Sequence, residues 1–140
     1  MVASGLSRDQ EEITTDGTPS ATVTVSRLVL STQPADAYGS APQNGYFVTV
    51  RVTATADQGC SGGFDIYSGD FYALSGGSHF SEGGGNSYDA LASSSSELGY
   101  ETLAAGESTS GELTFDVSSP HGYIVYAPNL NGQPLAEWKY

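Results

Sequence analysis

The longest clean alternation of apolar and polar positions is Tyr46–Ala56, reading YFVTVRVTATA. Tyr46, Val48, Val50, Val52, Ala54 and Ala56 fall on one side of an extended chain, and Phe47, Thr49, Arg51, Thr53 and Thr55 on the other. Side chains alternate across a strand with period two, and β-branched residues suit a pleated, half-buried surface. A helix would put Val48 and Val50 on nearly opposite sides of its cylinder. The stretch therefore predicts a central strand with its valines facing a core.

Weaker alternations flank it. In Ala21–Leu30, Val23 and Val25 share one face before the apolar positions switch parity to Leu28 and Leu30, the mark of a β-bulge. Pro34, Gly39, Pro42 and Asn44 make Gln33–Asn44 a loop. Phe64–Leu74 reads as two short strands, or one bent strand, broken at Gly69. Glycines and a serine run predict a long mobile loop over Ser75–Ser96. A turn at Leu103–Gly106 leads into Ser110–Val117, where Leu113, Phe115 and Val117 share a face. Turns at Pro120–Gly122 and Asn131-Gly132 then bound two more strands, Tyr123–Ala127 and Leu135–Tyr140. Short strands at this spacing, with no long amphipathic helix among them, predict an all-β sandwich. Its core is expected to hold Val48, Val50, Val52, Phe71, Leu113, Phe115, Val117 and Trp138.

Residues 1–20 carry only Val2, Leu6 and Ile13 as large aliphatics. So little apolar surface does not offset the roughly 1–2 kcal/mol per residue that ordering a backbone costs. They read as a flexible leader or linker, with a single domain over residues 21–140. The leader lacks the apolar segment of a signal peptide, so an export signal or lipid anchor is expected to be absent from this chain.

Composition narrows the function classes. Four basic residues against sixteen acidic ones give a net charge of −12. Such a surface repels phosphate backbones and anionic headgroups, which argues against nucleic-acid and membrane-surface binding. No apolar run approaches the roughly 18 residues of a transmembrane helix. Nine tyrosines fit half-buried sheet positions, with ring packed and hydroxyl wet. Cys60 stands alone, so it forms no disulfide within the chain, and its turn-like QGCSGG setting predicts an accessible thiol.

Candidate chemistry is sparse. GCSGG at 59–63 resembles protease loops over about five residues, yet no His precedes His79 and the chain has one cysteine. His79 and His121 do not make a three-His zinc site, and both are expected to face solvent. Asp65, Asp70, Glu82 and Asp89 are possible oxygen ligands for calcium or a glycosidase carboxylate pair, without the spacing of a known loop. These residues therefore point to no catalytic residue, no cofactor and no metal.

Four segments in order carry a resemblance: GYFVTVRVTATA (45–56), SGDFYAL (68–74), LAAGESTSGELTFDV (103–117) and PLAEWKY (134–140). Together they resemble the uncharacterised immunoglobulin-like domain of actinobacterial and other Gram-positive secreted proteins and lipoproteins, to which a small secreted mycobacterial antigen is related. In that family a valine-rich strand is followed by a pair like Asp70-Phe71. A Gly-Glu turn like Ala105-Gly106-Glu107 then leads into a strand like Gly111–Val117. The chain departs from the pattern in its serine/glycine insert at 75–96 and in lacking a lipid-carrying cysteine near its start. The resemblance implies an immunoglobulin-like sandwich of two antiparallel sheets and an extracellular or cell-surface location, but no reaction.

The expected function is a non-catalytic binding or interaction module whose partner is another secreted or surface protein. One alternative is an adaptor subunit docking through its N-terminal arm or an edge strand. Another is a carbohydrate-binding module stacking sugars on Tyr67, Tyr72 or Tyr88.

Overall fold

The computed structural model describes residues 2–4, 8–15, 18–59, 62–91, 96–128 and 134–140. Cys60 and the Asn131-Gly132 turn lie outside the described residues, as does most of the serine run at 93–96. The described chain is all-β. One sheet has the order β1 (Val2–Ser4), β11 (Ala136–Lys139), β10 (Gly122–Tyr126), β6 (Phe71–Ser75), β7 (Ser78–Ser81). A second has the order β2 (Arg8–Thr15), β3 (Thr18–Ser31), β4 (Tyr46–Ala56), β9 (Ser108–Val117). A short ribbon joins β5 (Phe64–Tyr67) to β8 (Tyr100–Leu103). Pairing is antiparallel except between β1 and β11.

The alternation in β4 does what its pattern predicts. Val48, Val50, Val52, Ala54 and Ala56 are buried, paired on one side with β3 and on the other with β9. The eight residues expected in the core are all buried in one hydrophobic cluster. That cluster draws on both large sheets and on Phe64, Ile66 and Leu103 of the ribbon, so the sheets face each other as a sandwich. The parity switch in β3 is a register shift between Ser26 and Val29. Beyond it Val29 and Leu30 are 56% and 42% exposed.

Two expectations are corrected. Val2–Ser4 and Arg8–Thr15, placed by the sequence in a flexible leader, are paired strands: β1 lies along β11, and β2 along β3 from Arg8↔Ser26 to Thr15↔Thr18. Pairing at a sheet edge is satisfied by backbone groups, so apolar content alone does not reveal it. Likewise, Ser75–Ser96 is not a structureless loop. It contains β7 and a 3₁₀ turn, Ser87–Ala90. Gly76 and Gly77, at φ +56° and +81°, form the tight turn that pairs Ser75 with Ser78. Two consecutive left-handed residues match the twist of a hairpin, and glycine adopts them without steric cost.

The remainder of that insert covers the outer face of the second sheet. The Ser87–Ala90 turn packs on β4 and β9. Phe47, opposite Asp116 in the ladder, is fully buried there although it points away from the main core. Asp116 fastens the cover. Its carboxylate accepts backbone N–H groups from Gln43 (2.7 Å), Asn44 (2.8 Å) and Asn86 (2.9 Å), and only 2% of the residue is exposed. Gly85 makes this approach possible. It sits at φ +57°, and a Cβ there would lie 2.6 Å from the Asp116 carboxylate.

Candidate functional site

The β6–β7 hairpin opens, at the end away from its glycine turn, into a cleft of about 310 Å³. Asp70, from the 3₁₀ turn Ser68–Asp70, and Glu82, just past β7, both line it. Tyr72, His79, Ser81 and Ala127 contribute further wall. Tyr72 pairs with Ser81 across the ladder, and its ring stacks on the imidazole of His79 at 4.6 Å and 24°. A backbone bond from Ala127 N–H to the Asp70 carbonyl (2.8 Å) holds the Ser68–Asp70 turn against the end of β10.

Glu82 is the unusual member. Its carboxylate accepts the Thr114 backbone N–H, while Gly83 N–H donates to the Thr114 carbonyl at 3.1 Å. The residue thus runs along the free edge of β9. Its Oε2 is buried and has no hydrogen-bond donor, and neither has the hydroxyl of fully buried Thr114 a partner. Buried polar atoms are normally paired, so a carboxylate oxygen orphaned and shut off from solvent calls for an explanation.

Burial first, then the neighbouring Glu97 carboxylate, push the Glu82 carboxyl up to about 7, against a lowering pull from the Thr114 N–H. Burial raises the Asp70 carboxyl as well. Next to Glu82 is Tyr88, whose hydroxyl is made less acidic chiefly by the Glu82 charge and also by a hydrogen bond to Glu97. Tyr88 is exposed, as are Tyr67 and Tyr100, a cross-strand pair whose rings lie 5.8 Å apart.

The raised Glu82 value fixes the sign of a pH effect. Its ordinary value is 4.5, so between about 4.5 and 7 the native state holds a proton that the unfolded chain has released. Stability must fall as pH rises through that window. Glu82 is only partly buried, and solvent screening makes the effect smaller than the full shift implies. Glu82→Gln is expected to gain a few degrees of melting temperature over the parent chain between pH 5 and pH 8, read by calorimetry. A difference that stays constant across this range would show that Glu82 does not titrate there.

Of the four carboxylates singled out from the sequence, only Asp70 and Glu82 come together. Asp65 accepts the Thr102 hydroxyl at 2.7 Å, and Asp89 accepts the Ser40 N–H at 3.1 Å. Among the described residues no three His, Cys, Asp or Glu side chains converge as metal ligands. His79 and His121 are both exposed, as expected, but His79 sits on β7 and not in a loop. Tyr67 and Tyr88 are exposed, whereas Tyr72 is partly buried and has its ring stacked on His79. Sequence reasoning missed the cleft. The Gly76-Gly77 pair was the available signal, since a hairpin folded there brings Ser81 to Tyr72 and Glu82 near Asp70.

No family model and no curated protein sequence matches the chain. In fold it matches the secreted protein MPT63 of Mycobacterium tuberculosis, with a TM-score of 0.59 at 18% identity over 100% of this chain and 97% of MPT63. The fold is MPT63-like. It also matches YcdA of Bacillus subtilis, a predicted lipoprotein, with a TM-score of 0.60 at 16% identity. That match covers 96% of this chain and 38% of YcdA, so the chain spans well under half of that protein's length. The resemblance drawn from the strand and turn signatures is thus found in the fold. At these identities the likeness is one of architecture and transfers no site residues.

Proposed function

We propose that this MPT63-like sandwich, of the immunoglobulin-like kind, is a non-catalytic binding module acting outside the cell or at its surface. The observation that carries the reading is the cleft at the open end of the β6–β7 hairpin. It combines concavity, an aromatic wall and the side chains of Asp70 and Glu82, the features of a recognition site. The secreted and lipoprotein character of the two structural neighbours supports the location. NMR titration of the full chain with short peptides and neutral oligosaccharides tests the reading. The expected result is amide shifts clustered at Tyr72, His79, Ser81 and Glu82. No ligand of either class shifting these amides would overturn it.

A second reading, an adaptor docking by an edge strand, is favoured by one observation. Among the described residues the β2–β3 ladder ends at Arg8↔Ser26, and past it the exposed Val29 and Leu30 stand on a stretch of β3 paired there with β4 alone. An extended partner segment could pair there through its backbone. Shifts confined to the amides of Val29–Ser31 would move the interaction to this edge.

A further inference from the structure

We infer that the cleft takes the cationic side chain of a partner polypeptide, an arginine or lysine seated between Asp70 and Glu82 against the Tyr72–His79 stack. The inference rests on the binding-module reading and adds the chemistry of the ligand. The Glu82 side chain lines the cleft, and a guanidinium or ammonium carries donors for a carboxylate without needing acceptors. Asp70, also lining the cleft, supplies a second carboxylate.

Both carboxyls are held toward their neutral forms by burial, and a bound cation relieves that condition. The stacked pair offers an aromatic face, which suits a planar guanidinium best. A metal ion fits poorly. Only two carboxylates line a space of about 310 Å³, and a hard cation asks for six or more close oxygens. Beyond the cleft, Glu97 and a net charge of −12 steer basic partners toward this end of the molecule.

The probes are the blocked tripeptide acetyl-Gly-Arg-Gly-amide, its glutamine counterpart, spermidine as a free polyamine, and cellohexaose as a neutral glycan. The full chain is titrated with each at low salt and followed by amide NMR. The arginine peptide is expected to shift Tyr72, His79 and Ser81 and to bind at least tenfold more tightly than the glutamine peptide. Spermidine binding the same amides more tightly than the arginine peptide would replace a polypeptide partner with a free amine and overturn the assignment. Glu82→Gln and, independently, Asp70→Asn should each weaken the arginine peptide several-fold with the remaining spectrum unchanged. Equal binding of the arginine and glutamine peptides, or shifts scattered over the acidic surface, would overturn the inference. So would indifference to both substitutions. Cellohexaose binding in the cleft without the arginine peptide would sink the cation and leave the binding module standing. Silence from every probe would remove both.

Discussion

Phe115→Ala is expected to cost about 3–5 kcal/mol, the range for emptying a phenylalanine site in a packed core. Phe115 is fully buried, sits opposite Val48 in the β4–β9 ladder, and belongs to the cluster that includes Phe71, Ile124 and Trp138 of the facing sheet. No other part of the chain refills the space, because both sheets are fixed by their own ladders. Folded domains have only about 5–15 kcal/mol to lose, so the variant should unfold at much lower urea, with a midpoint shift at nearly constant slope. A loss below about 1 kcal/mol would mean that the ring does not sit in the shared core.

Asp116→Ala is the second large effect, and its signature differs. The substitution strands the backbone N–H groups of Gln43, Asn44 and Asn86, and removes the tie that holds two loops to β9. A buried donor left unpaired costs about 1–3 kcal/mol, and a bond to a charged acceptor is at the strong end of the scale. Loops that move reach water, so the three losses do not sum; a net destabilisation of about 3 kcal/mol is expected. Hydrogen exchange locates it. Amides at 43–44 and 84–91 should lose protection while those of β4 and β9 keep theirs. Asp116→Asn should fall between, since it keeps one acceptor oxygen but turns an NH₂ group toward the donors. Uniform loss of protection across both sheets would show that the residue supports the fold and not the loops.

How far the residues announced this arrangement differs from place to place. β4 and β9 were legible because each is long and turns apolar residues at alternate positions into the core, and Phe71, Trp138 and the β3 bulge followed from the same rule. β7 was not. Ser-His-Phe-Ser has one apolar residue, and it is a strand because the Gly76-Gly77 turn returns it onto β6. Phe47 was assigned to an outer face, which it occupies. Its burial comes from a glycine-rich segment folding back over it, a tertiary event with no periodic signature. For the same reason Asp70 and Glu82, twelve positions apart, carry no local pattern, and only the hairpin joins them. Asp116 alternates with the core-facing Phe115 and Val117, and nothing local marks it out, because the backbone donors that claim it arrive from two distant loops.

The free edge of β9 has a consequence for behaviour at high concentration. Sheet edges normally offer rows of open donors and acceptors on which another molecule can add a strand. Here Glu112 exchanges bonds with Ser96 and Leu98, Thr114 with Glu82 and Gly83, and the Asp116 carbonyl takes the Asn44 side-chain amide at 3.1 Å. Each outward-facing residue of the strand's second half is thus occupied by a side chain or an irregular segment that offers no continuing edge. β9, which carries Leu113, Phe115 and Val117, is thereby shielded from templating fibril growth, and part of that protection against β-aggregation comes from Glu82 and Gly83, at the rim of the cleft.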